Sequence, residues 1–183
     1  MGSVLPAIDA DLAAWLTAQP VFFVSTAPLG ADQHLNLSPK GLTGTFTVLD
    51  DHTVAYLDLT GSGVETIAHL RENGRIVLMF CSFDGRPRII RLHGRGRIVL
   101  PHDEAFAGLV GRFSDHPGIR SVIVVDVTRI GDSCGYAVPT MTYQEDREIL
   151  DLGARKKGEA RLADYRRERN AVSIDGLPGY PAG

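Results

Sequence analysis

Long stretches of the chain alternate between hydrophobic and polar positions or stay hydrophobic throughout, and most of them are rich in valine, isoleucine and threonine. Both patterns are typical of β-strands. Short segments that contain glycine, proline, asparagine or aspartate separate them, as turns do. The predicted strands cover residues 21–26, 33–37, 44–49, 53–59, 75–82, 87–100, 121–130 and, more loosely, 134–140.

Hydrophobic residues at helical spacing indicate helices in four other places. Asp9 is positioned to cap the first of them, in which Leu12 and Leu16 share one face. The second follows a glycine-rich turn after the fourth strand and ends at Asn73-Gly74. This second helix covers residues 64–72, and the remaining two are expected from residue 103 to residue 113 and at residues 155–169.

The order of these elements favours a protein that is mainly β with flanking helices, built as a closed or split β-barrel. A single helix crosses after the fourth strand, and the repeated βαβ units of a Rossmann sheet are absent from the predicted pattern. A chain of 183 residues is expected to form one well-buried core. The composition changes near residue 145, which divides the chain into a barrel domain, residues 1–145, and a C-terminal helix with an extended tail, residues 146–183, that packs on the barrel or on a dimer partner.

Charge and cysteine content narrow the function classes. The net charge of −3 gives no reason to expect binding to nucleic acid or to a membrane surface. The sequence has no recognisable secretory signal and no hydrophobic run long enough to span a bilayer. Cys81 and Cys134 are far apart, and neither they nor the scattered histidines have metal-ligand spacing. We therefore expect a cytoplasmic protein with reduced thiols and no metal.

Two turns of small residues suggest a ligand site. The first is Asn36-Leu37-Ser38-Pro39-Lys40-Gly41, and the second, Thr60-Gly61-Ser62-Gly63, opens the helix at residue 64. Glycines at a strand-to-helix junction allow backbone N–H groups to approach a phosphate. The same residues also fit an ordinary turn in which Ser62 caps the helix, and such turns are much commoner than phosphate sites.

Arginines crowd the strand at residues 87–100. Strict alternation places Arg91, His93, Arg95 and Arg97 on one face and hydrophobic residues on the other. This face is either solvated, or Arg88 or Arg91 of this strand reaches a ligand phosphate across a subunit interface, with Arg91 preferred of the two. His93 is interpreted as a structural histidine, and the basic helix at residues 155–169 as a solvated surface with ion pairs.

Several segments resemble the pyridoxamine 5′-phosphate oxidase-like group of FMN-binding split-barrel proteins over about residues 10–130. They are Leu37-Ser38-Pro39-Lys40-Gly41, Asp58-Leu59-Thr60-Gly61-Ser62-Gly63, the helix ending Arg71-Glu72-Asn73-Gly74-Arg75 and the strand Ile76-Val77-Leu78-Met79-Phe80. Residues 134–139 and 173–178 resemble tail segments of one branch of that group.

The resemblance implies a homodimer of six-stranded Greek-key barrels with FMN bound between the subunits. The function it implies is an FMN-dependent oxidoreductase that acts on an unidentified small molecule, and pyridoxamine phosphate itself is not expected because the oxidase's substrate-binding tail has no match here. No catalytic residue is assigned. The implied cofactor-binding residues are Asn36, Leu37, Ser38, Pro39, Lys40, Leu59, Thr60, Ser62, Gly63, Thr66 and Arg91.

One position departs from the family pattern. Glu65-Thr66 stand where the oxidase has arginine and lysine on the phosphate, and a carboxylate at a helix N-terminus competes with a phosphate for the same N–H groups. Ser62 and Glu65 have the spacing of a capping box. We therefore expect FMN to bind weakly.

Two other functions stay open at this point. One is a non-catalytic protein that carries flavin or haem as a store or a sensor. The other is a reductase that uses deazaflavin, whose longer acidic tail the arginine-rich strand would meet.

Overall fold

Eight strands and four helices follow one another in residues 2–181, the part of the chain that this computed structural model describes. The first and last residues of the predicted domains, 1 and 182–183, lie outside it. The elements are β1 (Ser3–Leu5), α1 (Ala10–Thr17), β2 (Val21–Thr26), β3 (Asn36–Gly41), β4 (Phe46–Val48), β5 (Thr53–Leu59), α2 (Glu65–Glu72), β6 (Arg75–Cys81), β7 (Ile89–Val99), α3 (Phe106–Val110), β8 (Ile119–Ser133) and α4 (Ile149–Arg169).

The strands form one antiparallel sheet in the order β3-β2-β6-β7-β8-β5-β4, and β1 adds to β8. The sheet is strongly curled, because Phe22 of β2 and Phe46 of β4 lie far apart in this order and yet have ring centroids 5.4 Å apart. A curled antiparallel half-barrel with flanking helices agrees with the predicted fold class. The strand count differs from six, since the described residues contain eight.

Most predicted strands are present, and two predictions were wrong. β5 has the predicted bounds, whereas the segment read as a turn, Asn36–Gly41, is strand β3. Pro39 misled the prediction, because proline is tolerated on an edge strand and β3 pairs only with β2. The predicted strand at residues 134–140 is irregular, and α3 is shorter than predicted.

The two faces of the sheet carry separate hydrophobic clusters. The inner cluster contains the stacked rings of Phe22 and Phe80, whose centroids are 5.2 Å apart, together with side chains from α1 and α2. The outer cluster includes Leu57 and Val124 and is covered by α3. Alternation along β7 follows the prediction, with Leu92 buried and the arginine face partly exposed.

Helices α1 and α2 close the inner cluster. Asp9 caps α1 as predicted, since its carboxylate accepts a hydrogen bond from the Leu12 N–H at 2.8 Å. Helix α2 packs closely on β7 at Gly96, where a Cβ atom would come within 2.8 Å of the Leu70 side chain. The absence of a side chain at residue 96 therefore sets how near α2 lies to the sheet.

Helix α4 is longer than predicted and is broken at Gly158, whose φ of 71° and ψ of 164° are accessible only to glycine. Its N-terminal half contacts the barrel through His116 and Asp151, and its C-terminal half reaches the segment after β5. Among the described residues, no helix has the length and hydrophobicity needed to cross a membrane.

Candidate functional site

A cavity of about 250 Å³ lies between β3 and the segment that joins β5 to α2. It brings together two parts of the sequence that are separated by more than one strand. Its lining residues are Asn36, Ser38, Pro39, Lys40, Leu59, Gly61, Gly63, Glu65, Thr66 and Arg120. We call the two sides of this cavity the strand wall, residues 36–40, and the loop wall, residues 59–66.

Strand alternation orients the strand wall. Asn36, Ser38 and Lys40 have their side chains at least half buried, whereas Leu37 between them is exposed. The backbone is held by the antiparallel ladder with β2, in which Lys40 is paired with Phe22. The ladder therefore fixes the strand wall through backbone hydrogen bonds.

A neutral hydrogen-bond network lies behind the strand wall. The Asn36 amide donates to the hydroxyls of Thr26 at 3.1 Å and Thr66 at 3.0 Å, and its oxygen accepts from Ser38 at 2.8 Å. Thr26 in turn lies 2.9 Å from Nδ1 of His69. Burial lowers the pKa of His69 and outweighs the nearby carboxylates, so this ring is neutral at neutral pH. The network joins β3 to α2 without any charge.

A buried ion pair lies behind the loop wall. Arg120 of β8 binds both carboxylate oxygens of Asp58, at 2.7 and 3.0 Å, and Ser121 donates to the same carboxylate at 3.1 Å. Burial alone would raise the pKa of Asp58, but the charge and hydrogen bonds of Arg120, with Lys40 and Ser121, lower it below its usual value. Asp58 is therefore ionised at neutral pH.

The Tyr56 hydroxyl is buried near this ion pair and has no hydrogen-bond partner in residues 2–181. Its burial first, and the Asp58 carboxylate second, raise its pKa well above the usual value for tyrosine. The hydroxyl therefore keeps its proton.

Lys40 is the cation best placed to meet a ligand in the cavity. Its ammonium group lies 3.8 Å from Asp58, and about a quarter of its side chain is exposed. Arg120 also lines the cavity, but Asp58, Gly63 and Asn170 accept four hydrogen bonds from its guanidinium. A guanidinium has five N–H groups, so Arg120 has little capacity left for a ligand.

Distant residues hold the backbone of the loop wall. The Thr60 hydroxyl donates to the carbonyl of Gly118 at 2.8 Å and accepts from Nε of Arg166 at 2.9 Å. The Asn170 amide donates to the carbonyl of Gly61 at 3.0 Å. The Gly63 carbonyl accepts from Arg120 at 2.9 Å.

The start of α2 differs from the predicted capping box. Val64 is the N-cap residue and Glu65 the first helical residue, so Ser62 lies too early in the chain to cap the helix. Instead the Glu65 carboxylate accepts hydrogen bonds from the N–H groups of Val64, at 3.0 Å, and Ile174, at 3.4 Å. The loop is longer than the capping box requires, and Glu65 itself takes up N–H groups beside the cavity.

Seven of the predicted cofactor-binding residues line the cavity, and four do not. Leu37 faces away, Thr60 is buried behind the loop, and Ser62 is exposed. Arg91 lies on β7, where it donates to the Ser133 hydroxyl at 3.0 Å. The lining members are Asn36, Ser38, Pro39, Lys40, Leu59, Gly63 and Thr66.

Sequence reasoning missed Arg120 and the residues of α4. Arg120 is the second residue of a strand whose first half is otherwise mostly valine and isoleucine, and such an isolated charge could have been matched with Asp58 in β5. Asn170 and Arg166 carried no such signal, because they lie in a run of charged residues typical of a solvated helix. Among the described residues, no group of histidines, cysteines and carboxylates could hold a metal ion.

Comparison with known proteins gives consistent results. A family model described as pyridoxamine 5′-phosphate oxidase matches residues 8–134. The chain is 43% identical over 187 aligned positions to the pyridoxamine 5′-phosphate oxidase family protein ustO of Aspergillus flavus, an alignment that covers 92% of this chain and 74% of that protein.

Two solved structures have a similar fold. A variant of HupZ from Group A Streptococcus is 23% identical with a TM-score of 0.53, and the match covers 69% of this chain and 99% of that one. The FAD binding protein from Mycobacterium smegmatis is 18% identical with a TM-score of 0.50, covering 70% of this chain and 97% of that one. At these identities the likeness concerns the fold.

Proposed function

Because this chain belongs to the pyridoxamine 5′-phosphate oxidase family, we propose that it is a flavin-dependent oxidoreductase that binds FMN and acts on a small molecule. The observation that carries the proposal is the cavity, which brings the strand wall and the loop wall together. A flavin mononucleotide needs a surface for its ring and a separate place for its phosphate, and these two walls are suited to those roles.

The residues present fit the ring end of such a ligand. Asn36 and Ser38 offer polar groups along β3, and Lys40 offers a partly exposed ammonium group. When bound, the flavin supplies the electron transfer, and the protein supplies binding, orientation and electrostatics. The ammonium group of Lys40 would stabilise negative charge on a flavin ring held in this cavity, and it carries protons that it could donate to the ring.

The phosphate end fits less well. Thr66 and the backbone N–H groups of the loop are suitable donors, but the Glu65 carboxylate lines the same cavity and already accepts from Val64. A phosphate must displace this carboxylate or bind beside it, and repulsion between the two anions weakens binding. The proposal therefore includes weak FMN affinity and loss of the cofactor during purification.

A second protomer is part of the proposal. The cavity of about 250 Å³ is smaller than the roughly 300–1,000 Å³ usual for ligand pockets, so a partner that closes it would complete the site. We expect a C2 homodimer that buries more than about 1,200 Å² in total and brings Arg91 of one protomer towards the other's phosphate site. Sedimentation as a monomer at micromolar concentration would contradict this part.

We also propose that the chain is divided into a split-barrel domain at residues 1–145 and a C-terminal segment at residues 146–183. The proposal includes the Greek-key connection of a split barrel and a cytoplasmic location. The identity of the small-molecule substrate is left to a screen of electron donors and acceptors with the flavin-loaded protein.

The absorption spectrum of the purified protein tests the proposal. We expect flavin bands, or, if the cofactor is lost, their perturbation when FMN is added to the colourless protein. Quenching of flavin fluorescence during the titration gives the dissociation constant. A Soret band in the isolated protein would indicate a haem carrier, and a response to deazaflavin without a response to FMN would indicate a deazaflavin enzyme. Either result would overturn the assignment to FMN.

A further inference from the structure

The loop wall is held from behind by the C-terminal end of α4, outside the part of the chain that matches the family model. Asn170 is fully buried and touches both the loop and the ion pair. Its amide nitrogen donates to the carbonyls of Gly61 at 3.0 Å and Ser62 at 3.4 Å, and its oxygen accepts from Arg120 at 2.8 Å. Both ends of one short side chain are therefore in use.

The direction of these carbonyls determines the direction of the neighbouring N–H groups. In a trans peptide the C=O of one residue and the N–H of the next point in opposite directions. Since the carbonyls of Gly61 and Ser62 point at Asn170, the N–H groups of Ser62 and Gly63 point away from it. Neither N–H donates a hydrogen bond to any group in residues 2–181.

We propose that Asn170 is a positioning residue for the anionic end of the ligand. By holding two consecutive carbonyls, it turns the N–H groups of Ser62 and Gly63 outward, where together they form a binding place for a phosphate. This inference depends on the proposed flavin function and deepens it, because it gives the C-terminal segment a role in selecting a phosphorylated flavin.

Arg166 supports the same arrangement one turn earlier on α4. It is buried, and its Nε donates to the Thr60 hydroxyl at 2.9 Å. A second nitrogen donates to Glu159 at 2.7 Å. Thr60 is the first residue after β5, so Arg166 holds the start of the loop and Asn170 holds the two residues that follow.

Paired titrations with FMN and riboflavin provide the test, because riboflavin shares the ring and lacks the phosphate. The informative variant is Asn170→Asp, which keeps the shape and the acceptor for Arg120 and removes the donor to Gly61 and Ser62. Asn170→Ala is the second variant, in case the carboxylate disturbs folding. Arg169→Gln, one residue earlier and exposed, is the control.

We expect wild-type protein to bind FMN more tightly than riboflavin, and both Asn170 variants to lose about tenfold in FMN affinity, the effect of misplacing a hydrogen-bond donor to a charged group. Riboflavin affinity should change little, so the ratio of the two affinities falls towards one. General destabilisation would weaken both ligands equally, and the control should leave the ratio unaltered.

Two outcomes separate this inference from the proposed function. If wild-type protein binds FMN and the Asn170 variants keep the wild-type ratio, Asn170 does not position the loop. A wild-type protein that binds FMN and riboflavin equally would also overturn the inference, since the loop would then not receive the phosphate. If wild-type protein binds neither flavin, it is the proposed function that fails.

Discussion

The two walls of the cavity are built in different ways. The strand wall is fixed by a continuous ladder of backbone hydrogen bonds with β2, the neighbouring strand. In the loop wall the backbone pairing ends at Thr60, whose N–H donates to the Gly118 carbonyl at 2.9 Å, and beyond it side chains from β8 and the end of α4 hold the carbonyl groups of Gly63 and Gly61. One substitution can therefore remove a substantial part of what holds the loop wall, whereas a side-chain substitution leaves the backbone ladder of the strand wall in place. The difference suggests that the ring end of a ligand meets a rigid surface and the phosphate end an adjustable one.

Breaking the buried ion pair should have the largest effect on the loop wall. Arg120→Met removes both bonds to Asp58 and leaves its carboxylate buried without its main partner. We expect the free energy of unfolding to fall by about 3–5 kcal/mol, the usual cost of removing one partner of a buried pair. Urea denaturation measures it.

Arg167→Gln is the matched control, because Arg167 pairs with Asp164 on the exposed side of α4. Exposed pairs contribute about 0–1 kcal/mol. If both variants lost a similar amount of unfolding free energy, the pair of Arg120 with Asp58 would contribute no more to stability than an exposed ion pair.

Removing the ammonium group of Lys40 from the strand wall should lower flavin affinity more than it lowers the stability of the fold. Lys40→Met leaves Asp58 paired with Arg120, so stability without ligand should change little. Flavin binding should weaken by about 1.5–3 kcal/mol, the range for a hydrogen bond to a charged group. Fluorescence titration gives the affinity and thermal melting gives the stability. Unaltered flavin affinity would remove Lys40 from the site.

Reversing the charge at the start of α2 should change the affinity for the phosphate at the loop wall and leave ring binding at the strand wall unchanged. Glu65→Arg removes the carboxylate that occupies the Val64 N–H and adds a cation beside the expected phosphate. We expect FMN binding to tighten by about 1–2 kcal/mol, with Glu65→Gln intermediate because it removes only the repulsion. Riboflavin should show no such series. Nanomolar FMN affinity in wild-type protein, or weaker binding by Glu65→Arg, would contradict this account.

The same difference explains what the sequence could predict. The ladders depend on local patterns, so Thr53–Leu59 and the alternation in β7 were predicted from residue periodicity. Proline is common in turns, so Pro39 led to the prediction of a turn where the structure has an edge strand. Residue propensities do not show which strands pair with a neighbour on one side only. The contacts of Asn170 with Gly61 and Ser62 span more than a hundred residues, and no local pattern indicates that an asparagine at the end of a charged helix will meet them.

The C-terminal tail connects the two walls, and its connection to the strand wall should depend weakly on pH. Ile174 donates to Glu65 on the loop wall, while the next residue, Asp175, accepts from the backbone N–H of His34 just before β3, at 2.8 Å. Its other oxygen lies 2.7 Å from Nδ1 of His34.

The His34 side chain first, and its backbone N–H second, lower the pKa of Asp175. A carboxylate whose pKa is lower in the folded state stabilises the tail above its unfolded pKa of about 3.9, and this contribution is lost as the pH falls through the folded value. We therefore compare amide exchange in residues 172–180 of wild-type protein with that of Asp175→Asn at the same pH. The ratio of wild-type to variant exchange should be higher at about pH 3 than at about pH 6, at a pH where the barrel is still closed. Mass spectrometry of the C-terminal peptide measures this. If the wild-type protein and Asp175→Asn exchange alike at both pH values, the carboxylate does not hold the tail across the two walls.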